Sequence, residues 1–505
     1  MRKAKVVMVQ GTGSGVGKSV ITAALCRILL QDGWTVAPFK AQNMALNSYV
    51  TEDGSEIGMA QAVQAQACHI KPRAEMNPVL IKPTNDTGAQ VIVMGKPVGN
   101  MSAKEYVSYK KRIKGVVKNS FEKLCSEYDA VVIEGAGSPA EINLKRHDIV
   151  NMAMAEYASA PVIIVGDIDR GGVFSWLVGT MELLTPRERR MVGGFIINKF
   201  RGDKSLLKSG IRFIENKTGK KVLGVIDYFK DIKIPEEDSL SLGSWALNGR
   251  ASVVEDGKRI RIEVIALPTM SNFTDFDYLA TEPDVHLRYV KRGEKIANPD
   301  VLIIPGTKNT ISDLKYLYDT GYVRAIKDRV NAGVILAGIC GGYQMLGRKI
   351  IDVKRVESNI RQIEGMGYID MVTVFSPEKI TRQVRVKERG SGLAVSGYEI
   401  HHGVPRGGAQ KGGVQKGGVQ ENFSKHFNIK NPVWGTYIHG IFDSSEFRRS
   451  FINHVRVKKG WQPVFPEESF NQDMEYDKLA GMVRDNIDIR YFYKLLNGRK
   501  HGRNI

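Results

Sequence analysis

From Val6 to Leu30 the chain reads V-V-M-V-Q-G-T-G-S-G-V-G-K-S-V-I-T-A-A-L-C-R-I-L-L, an order that few folds accommodate. Val6 to Val9 has the apolar run of a buried strand, Gly11 to Gly17 is a glycine-rich turn, and Lys18 and Ser19 open a segment of helical period. Such a turn lets the backbone N–H groups of Gly11, Thr12, Gly13, Gly15, Val16 and Gly17 wrap a polyphosphate. The helix that follows adds its positive dipole end. Lys18 is placed to reach the terminal phosphates, and the Ser19 hydroxyl to ligate Mg²⁺. One detail departs from the commonest spacing: Thr12 stands where a glycine is usual, and Gly11 lies one residue earlier. The stretch predicts a site for ATP or a close relative.

At 505 residues the chain is too long for one core, so two or three domains are expected. Hydrophobic content of 42% and charged content of 25% are those of a globular protein, and no apolar run matches a membrane span of about 20 residues. The basic start M-R-K-A-K leads straight into the phosphate loop, which argues against a cleaved leader. Cys26, Cys68, Cys125 and Cys340 are scattered without a C-x-x-C pair. Metal and disulfide frameworks are therefore not expected, and a reducing cytoplasm fits. The net charge of +19 suits anionic substrates. No zinc-finger spacing, RNA-binding aromatic signature or basic tail accompanies it, so neither nucleic acid nor membrane is expected as a partner.

Thr35 to Lys40 reads as a second strand, ending in the polar loop K-A-Q-N-M-A-L-N-S on the side where α/β sheets bind ligands. Tyr128 to Gly137 is a third, and Glu134 near its end can hold Mg²⁺, directly or through water. Apolar runs at 161–167, 193–199 and 222–227 continue the alternation of a doubly wound parallel sheet. Asn198 ends one of them and is a candidate for base recognition. Asp167 and Asp169 could serve a ligand or cap the next helix. Periodicity lapses after Tyr228. The expected division is an ATP-binding domain over 1–230, a linker over 231–258, a second domain over 259–456 and a helical extension over 457–505.

In the second domain, strands are expected within 260–268, 300–310 and 333–347. The last runs into Gly338-Ile339-Cys340-Gly341-Gly342 and out into a helix. A nucleophile elbow has this form, since glycines permit the tight turn and the helix N-terminus favours a thiolate. A cysteine in inert core can have it too. His439 ends the strand-like run W-G-T-Y-I-H-G-I-F and is the expected general base for Cys340. Residues 406–420 repeat R-G-G-A-Q, K-G-G-V-Q, K-G-G-V-Q, a composition expected to form a flexible surface loop.

With both sites in hand, the chain resembles the glutamine-hydrolysing cobyric acid synthases, the corrinoid amidases of cobalamin biosynthesis, over nearly its whole length. The first half is similar to dethiobiotin synthetase-like ATPases, whose loop has the G-T-x-x-G-V-G-K-[ST] spacing. The second half is similar to class I glutamine amidotransferases in G-I-C-G-G-Y-Q and Y-I-H-G. K-A-Q-N-M-A-L-N-S, E-I-G-M-A-Q, M-N-P-V-L-I-K-P, V-G-D-I-D-R-G-G-V-F, I-N-K-F-R-G-D and P-G-T-K-N-T are specific to the family. The related cobyrinic acid a,c-diamide synthases differ after the second strand.

The resemblance implies two doubly wound parallel-sheet α/β domains, a P-loop NTPase followed by a flavodoxin-like amidotransferase. It further implies ATP, Mg²⁺, glutamine and adenosylcobyrinic acid a,c-diamide as cofactors and substrates. Cys340 would attack glutamine, His439 would shuttle the proton, and backbone N–H groups of Gly306 and Gly341 would hold the oxyanion. Lys18 would stabilise the transferring phosphoryl group, and Lys40 matches a substrate-side lysine. One departure stands out: the glutamate common two residues after the histidine is Ile441 here. The third member of a triad is then absent or supplied from elsewhere. Partitioning-type and nucleic-acid-binding ATPases share the first domain's features, but neither needs Cys340 and His439. Oligomeric state is left open.

Overall fold

The apolar runs of the first half become six parallel strands, ordered in space Lys221–Asp227, Val192–Phe200, Val162–Asp167, Lys5–Gly11, Ala130–Glu134 and Val36–Phe39. The computed structural model describes residues 4–84, 88–229, 232–235, 257–406, 426–465 and 471–498. Most of the expected linker over 231–258, and all but Arg406 of the glycine repeat, lie outside these residues.

Every residue of Ala130–Glu134 and Val162–Asp167 is buried, as in a parallel sheet covered on both faces. Successive side chains of the first strand point to opposite layers. Met8 packs with Ile113, Val117 and Phe121 of the helix Ala103–Glu127, which opens on a Ser102–Glu105 capping box. Val7 and Val9 pack with Ile21, Leu25 and Ile28 of the helix Lys18–Gln31. The last two helices, Gln472–Asn486 and Ile489–Leu496, complete that second layer through Leu479, Val483, Phe492 and Leu495. Arg27 Nε donates to Asp477 Oδ1 at 2.7 Å across the contact. The chain therefore returns to the first sheet after building the second.

The second sheet has five parallel strands, ordered Val285–Val290, Ile260–Ile265, Val301–Ile304, Ile335–Ile339 and Val433–Thr436. Numbered along the chain this is the 2-1-3-4-5 order of flavodoxin-like folds, with its switch point beside the first strand. Between the fourth and fifth strands the chain makes a long hairpin, Val372–Lys387 with Ala394–Arg406.

That hairpin meets a small one in the first half, Ser48–Val50 with Glu56–Gly58. Thr381 Oγ1 donates to Gly54 O at 2.8 Å. Glu56 pairs with Lys82 at 2.9 Å and with Lys379 of the long hairpin at 2.5 Å, all three side chains being buried. Burial alone would raise the Glu56 pKa; Lys379 and Lys82 outweigh it and hold the carboxyl far below its ordinary value. Among the described residues no disulfide joins any of the four cysteines, and no helix is long and apolar enough to cross a membrane.

Candidate active sites

In the first sheet, the strand Lys5–Gly11 lies between Ala130–Glu134 and Val162–Asp167, so the loop leaving it opens into a crevice at the strands' carboxyl ends. Gly17 caps the following helix at φ 99°, where a Cβ would lie 2.2 Å from Asn198 Nδ2. Only glycine fits there. Lys18 Nζ donates back to Gly13 O at 2.7 Å and Gly137 O at 3.1 Å. Thr12 is anchored through its N–H to Val165 O at 3.0 Å.

Glu134 is the hub. Its Oε1 accepts from Ser19 Oγ at 2.8 Å and from Lys40 Nζ at 2.8 Å, while Oε2 accepts from Gln64 Nε2 at 2.6 Å. Burial works against its charge, yet Lys40 and these donors keep the carboxyl below its ordinary pKa. Gln61 and Gln64 sit three apart on the helix Met59–Ala67, so both face the carboxylate. A hydroxyl and a carboxylate side by side are hard oxygen donors that fit Mg²⁺. Ser19 would be its direct ligand. Glu134, with one oxygen shared with Lys40, would orient the ion's shell or bind on displacement of that lysine.

Asn198 stands beside the loop: its Nδ2 donates to Val16 O at 2.9 Å, and its buried Oδ1 has no partner among the described residues. One of the two N–H groups of this candidate for base recognition is thus taken by the loop backbone. Its neighbour Lys199, not singled out from the sequence, donates to Gly15 O at 2.6 Å and Asp167 Oδ2 at 2.9 Å. The specific run I-N-K-F-R-G-D was its only signal. Gly15, Lys18, Ser19, Lys40, Glu134 and Asp167 line a cavity of about 610 Å³ that extends to Met44, Lys110, Lys145 and Tyr228.

The second site also lies at strand ends. Cys340 follows Ile335–Ile339 directly, at φ 49° and ψ −107°, and caps the short helix Gly341–Met345. A non-glycine residue there is strained, and the strain presents its sulfur at the tip of the turn. His439, three residues past Val433–Thr436, is buried and shares Gly306 as a neighbour with Cys340, whose Sγ donates to Ile400 O at 3.7 Å. Its side-chain hydrogen-bond partner is Asp275, whose Oδ2 lies 2.7 Å from His439 Nδ1. With Nδ1 taken by Asp275, Nε2 is the nitrogen left for proton transfer at Cys340. Asp275 Oδ1 also accepts from Gly440 N at 2.9 Å, which fixes the carboxylate.

The carboxylate missing at position 441 is therefore supplied by Asp275, from the turn Phe273–Phe276 after the second domain's first strand. Ile441 is core. Burial alone would lower the His439 pKa, but Asp275 and Cys340 outweigh it and push it up to about 10. Gly306 follows Val301–Ile304 so closely beside the pair that a Cβ on it would lie 2.8 Å from His439 Cε1. Gly341 abuts the same loop at Thr307. Asp313 ties that loop down, accepting from Thr307 Oγ1 and from Thr269 N at 3.1 Å.

A phosphate-loop domain joined to a cysteine–histidine–aspartate amidotransferase domain defines an amide-forming enzyme that draws its nitrogen from glutamine. Residues 7–242 match the CobQ/CobB/MinD/ParA nucleotide binding domain, and residues 261–447 the CobB/CobQ-like glutamine amidotransferase domain. The chain belongs to the cobyric acid synthase family. It is 47% identical over 514 residues to the cobyric acid synthase of Pelotomaculum thermopropionicum, covering 98% of this chain and 97% of that one. With the cobyric acid synthase of Syntrophobacter fumaroxidans it shares 46% over 510 residues, covering 98% and 99%. It is also 48% identical over 497 residues to the adenosylcobalamin biosynthesis bifunctional protein CobDQ of Leptospira interrogans, 98% of this chain but only 57% of that longer protein.

Proposed function

We propose that this chain converts adenosylcobyrinic acid a,c-diamide to adenosylcobyric acid, amidating the b, d, e and g carboxylates with one ATP and one glutamine each. Cys340 attacks the glutamine side-chain amide carbon, and His439 passes the proton to the departing nitrogen. Ammonia leaves, and water then releases glutamate from the thioester. N–H groups at Gly306 and Gly341 would hold the tetrahedral oxyanion, where one donor is typically worth roughly 3–4 kcal/mol.

In the first domain a substrate carboxylate oxygen attacks the γ-phosphorus and ADP departs. A carboxylate cannot expel oxide, whereas the acyl phosphate expels phosphate when ammonia attacks its carbon. Lys18 and Lys199 supply positive charge along the phosphates, and Lys40 faces the substrate side of the cavity. Mg²⁺ beside Ser19 and Glu134 would neutralise phosphate charge as the phosphoryl group transfers. The observation that carries the reading is the pairing of a Cys340–His439–Asp275 site with the Lys18–Ser19–Glu134 site in one docked molecule.

The test is amide formation on the corrinoid with each nitrogen source, alongside glutamate release. Cys340→Ala should lose glutamine-dependent amidation and keep it with ammonium salt at mildly alkaline pH. Lys18→Ala should lose both. Glutamine use by Cys340→Ala at the wild-type rate would overturn the two-site mechanism.

A further inference from the structure

We infer that Asn272 is a positioning residue that ties the glutamine-cleaving triad to the substrate loop of the ATP domain. The inference rests on the function proposed above and adds a coupling to it. Lys40, Asn43 and Met44 line the ATP-side cavity, and the same loop continues to Asn47 and Ser48. There it meets the second domain. Asn272 Oδ1 accepts from Ser48 N at 3.3 Å, and Asn272 Nδ2 donates to Ser48 O at 3.1 Å. Asn47 Oδ1 accepts from Phe273 N at 3.1 Å.

Asn272 in turn holds both supports of His439. Its backbone carbonyl accepts from Asp275 N at 3.0 Å, and Asp275 is the carboxylate on His439. Its Nδ2 also donates to Tyr398 OH at 2.9 Å, and the Tyr398 ring stacks on His439 with centroids 5.4 Å apart and planes at 24°. Tyr398 and His439 further exchange backbone hydrogen bonds, of 3.2 and 2.8 Å. Asn272 itself adopts φ 53° and ψ 42°, a left-handed conformation that asparagine tolerates and most side chains do not. Its side chain and Ser48 are buried, so water cannot replace these bonds cheaply. A shift of the 43–48 segment when the cavity fills must therefore reach Asp275 and Tyr398. Displacement of a catalytic group by about 1 Å can change a rate by about 10²-fold. Glutamine cleavage is thereby linked to occupancy of the acceptor site.

Asn272→Gly tests this, because glycine keeps the left-handed backbone and removes only the amide. Glutamate release is measured for wild type and variant alone, with ATP, and with ATP plus the corrinoid a,c-diamide; ammonium-dependent amidation is measured on the same preparations. The wild type should release glutamate faster when the cavity is filled. In Asn272→Gly that stimulation should fall to within about twofold of none, and ammonium-dependent amidation should stay within about twofold of wild type. Glutamate released per amide formed should rise in the variant. Should the glycine variant not fold, Asn47→Ala, which removes the acceptor for Phe273 N–H, reads the same ratio. Wild-type stimulation in the folded variant, or no stimulation in the wild type, would overturn the coupling. Absence of ammonium-dependent amidation in the wild type would instead count against the proposed reaction, while the response of glutamate release to ATP alone would still read the coupling through Asn272.

Discussion

Asp275 is the residue whose chemistry is most exposed to test. Held on His439 Nδ1 at 2.7 Å, it sets the ring's tautomer and leaves Nε2 for proton transfer at Cys340. Asp275→Asn keeps the shape and removes the charge. It should lower glutamine hydrolysis by between about 10²- and 10⁴-fold, the range for a general acid–base group. Ammonium-dependent amidation should be spared. The same contact has a signature in stability. His439 is raised from 6.5 to about 10 in the folded chain, so the folded form binds the proton more tightly than the unfolded one. That contribution is fully present below pH 6.5 and is lost as pH climbs toward 10. Melting of the second domain should therefore fall across this window, and Asp275→Asn should flatten the slope. An unchanged slope would mean that another group sets it.

At the scale of elements, the two hairpins that join the domains carry buried charge rather than apolar area alone. Glu56 is shared between Lys82 of its own domain and Lys379 of the other. Such a cluster is a poor source of net stability, since desolvating the three groups offsets much of their attraction. Breaking it is another matter. Glu56→Gln leaves Lys82 and Lys379 buried without their counter-charge, and should cost at most about 3–5 kcal/mol, since Lys379, its pKa already pulled down to about 7 by burial, can give up its proton. In chemical denaturation the domains should uncouple, with glutamine-dependent amidation falling more than ammonium-dependent amidation. A single unchanged transition would show that the cluster is not what holds the hairpins together.

For the whole molecule, the last two helices belong to the packing of the first sheet. Leu479, Val483, Phe492 and Leu495 cover the same layer as Val7, Val9 and Leu25, and Arg484 pairs with Asp32 at 2.9 Å at its edge. Removing residues 471–505 should expose that layer and lower the melting temperature of the ATP domain. Ammonium-dependent amidation should be lost with it, although the phosphate loop lies far away in sequence. Glutamine cleavage by the second domain should persist. Loss of both activities together would show that the domains fold as one unit.

What the sequence determined by itself is whatever depends on near neighbours. The strand–loop–helix order from Val6 to Leu30, the elbow at Cys340 and the strand ending near His439 were legible because each rests on a local run of apolar, glycine and reactive residues. So was the parallel α/β class, which follows from alternating strand- and helix-length segments. Tertiary structure alone decided the partners. Asp275 and Asp277 look alike in F-T-D-F-D-Y, and only folding brings the first to a histidine 164 residues away. Lys40 and Ser19 reach one oxygen of Glu134 from separate strand and helix ends, and Lys199 reaches the loop from another. The last helices carry no mark of the sheet they cover. Packing of distant surfaces chooses such partners, and a one-dimensional pattern records only that each surface exists.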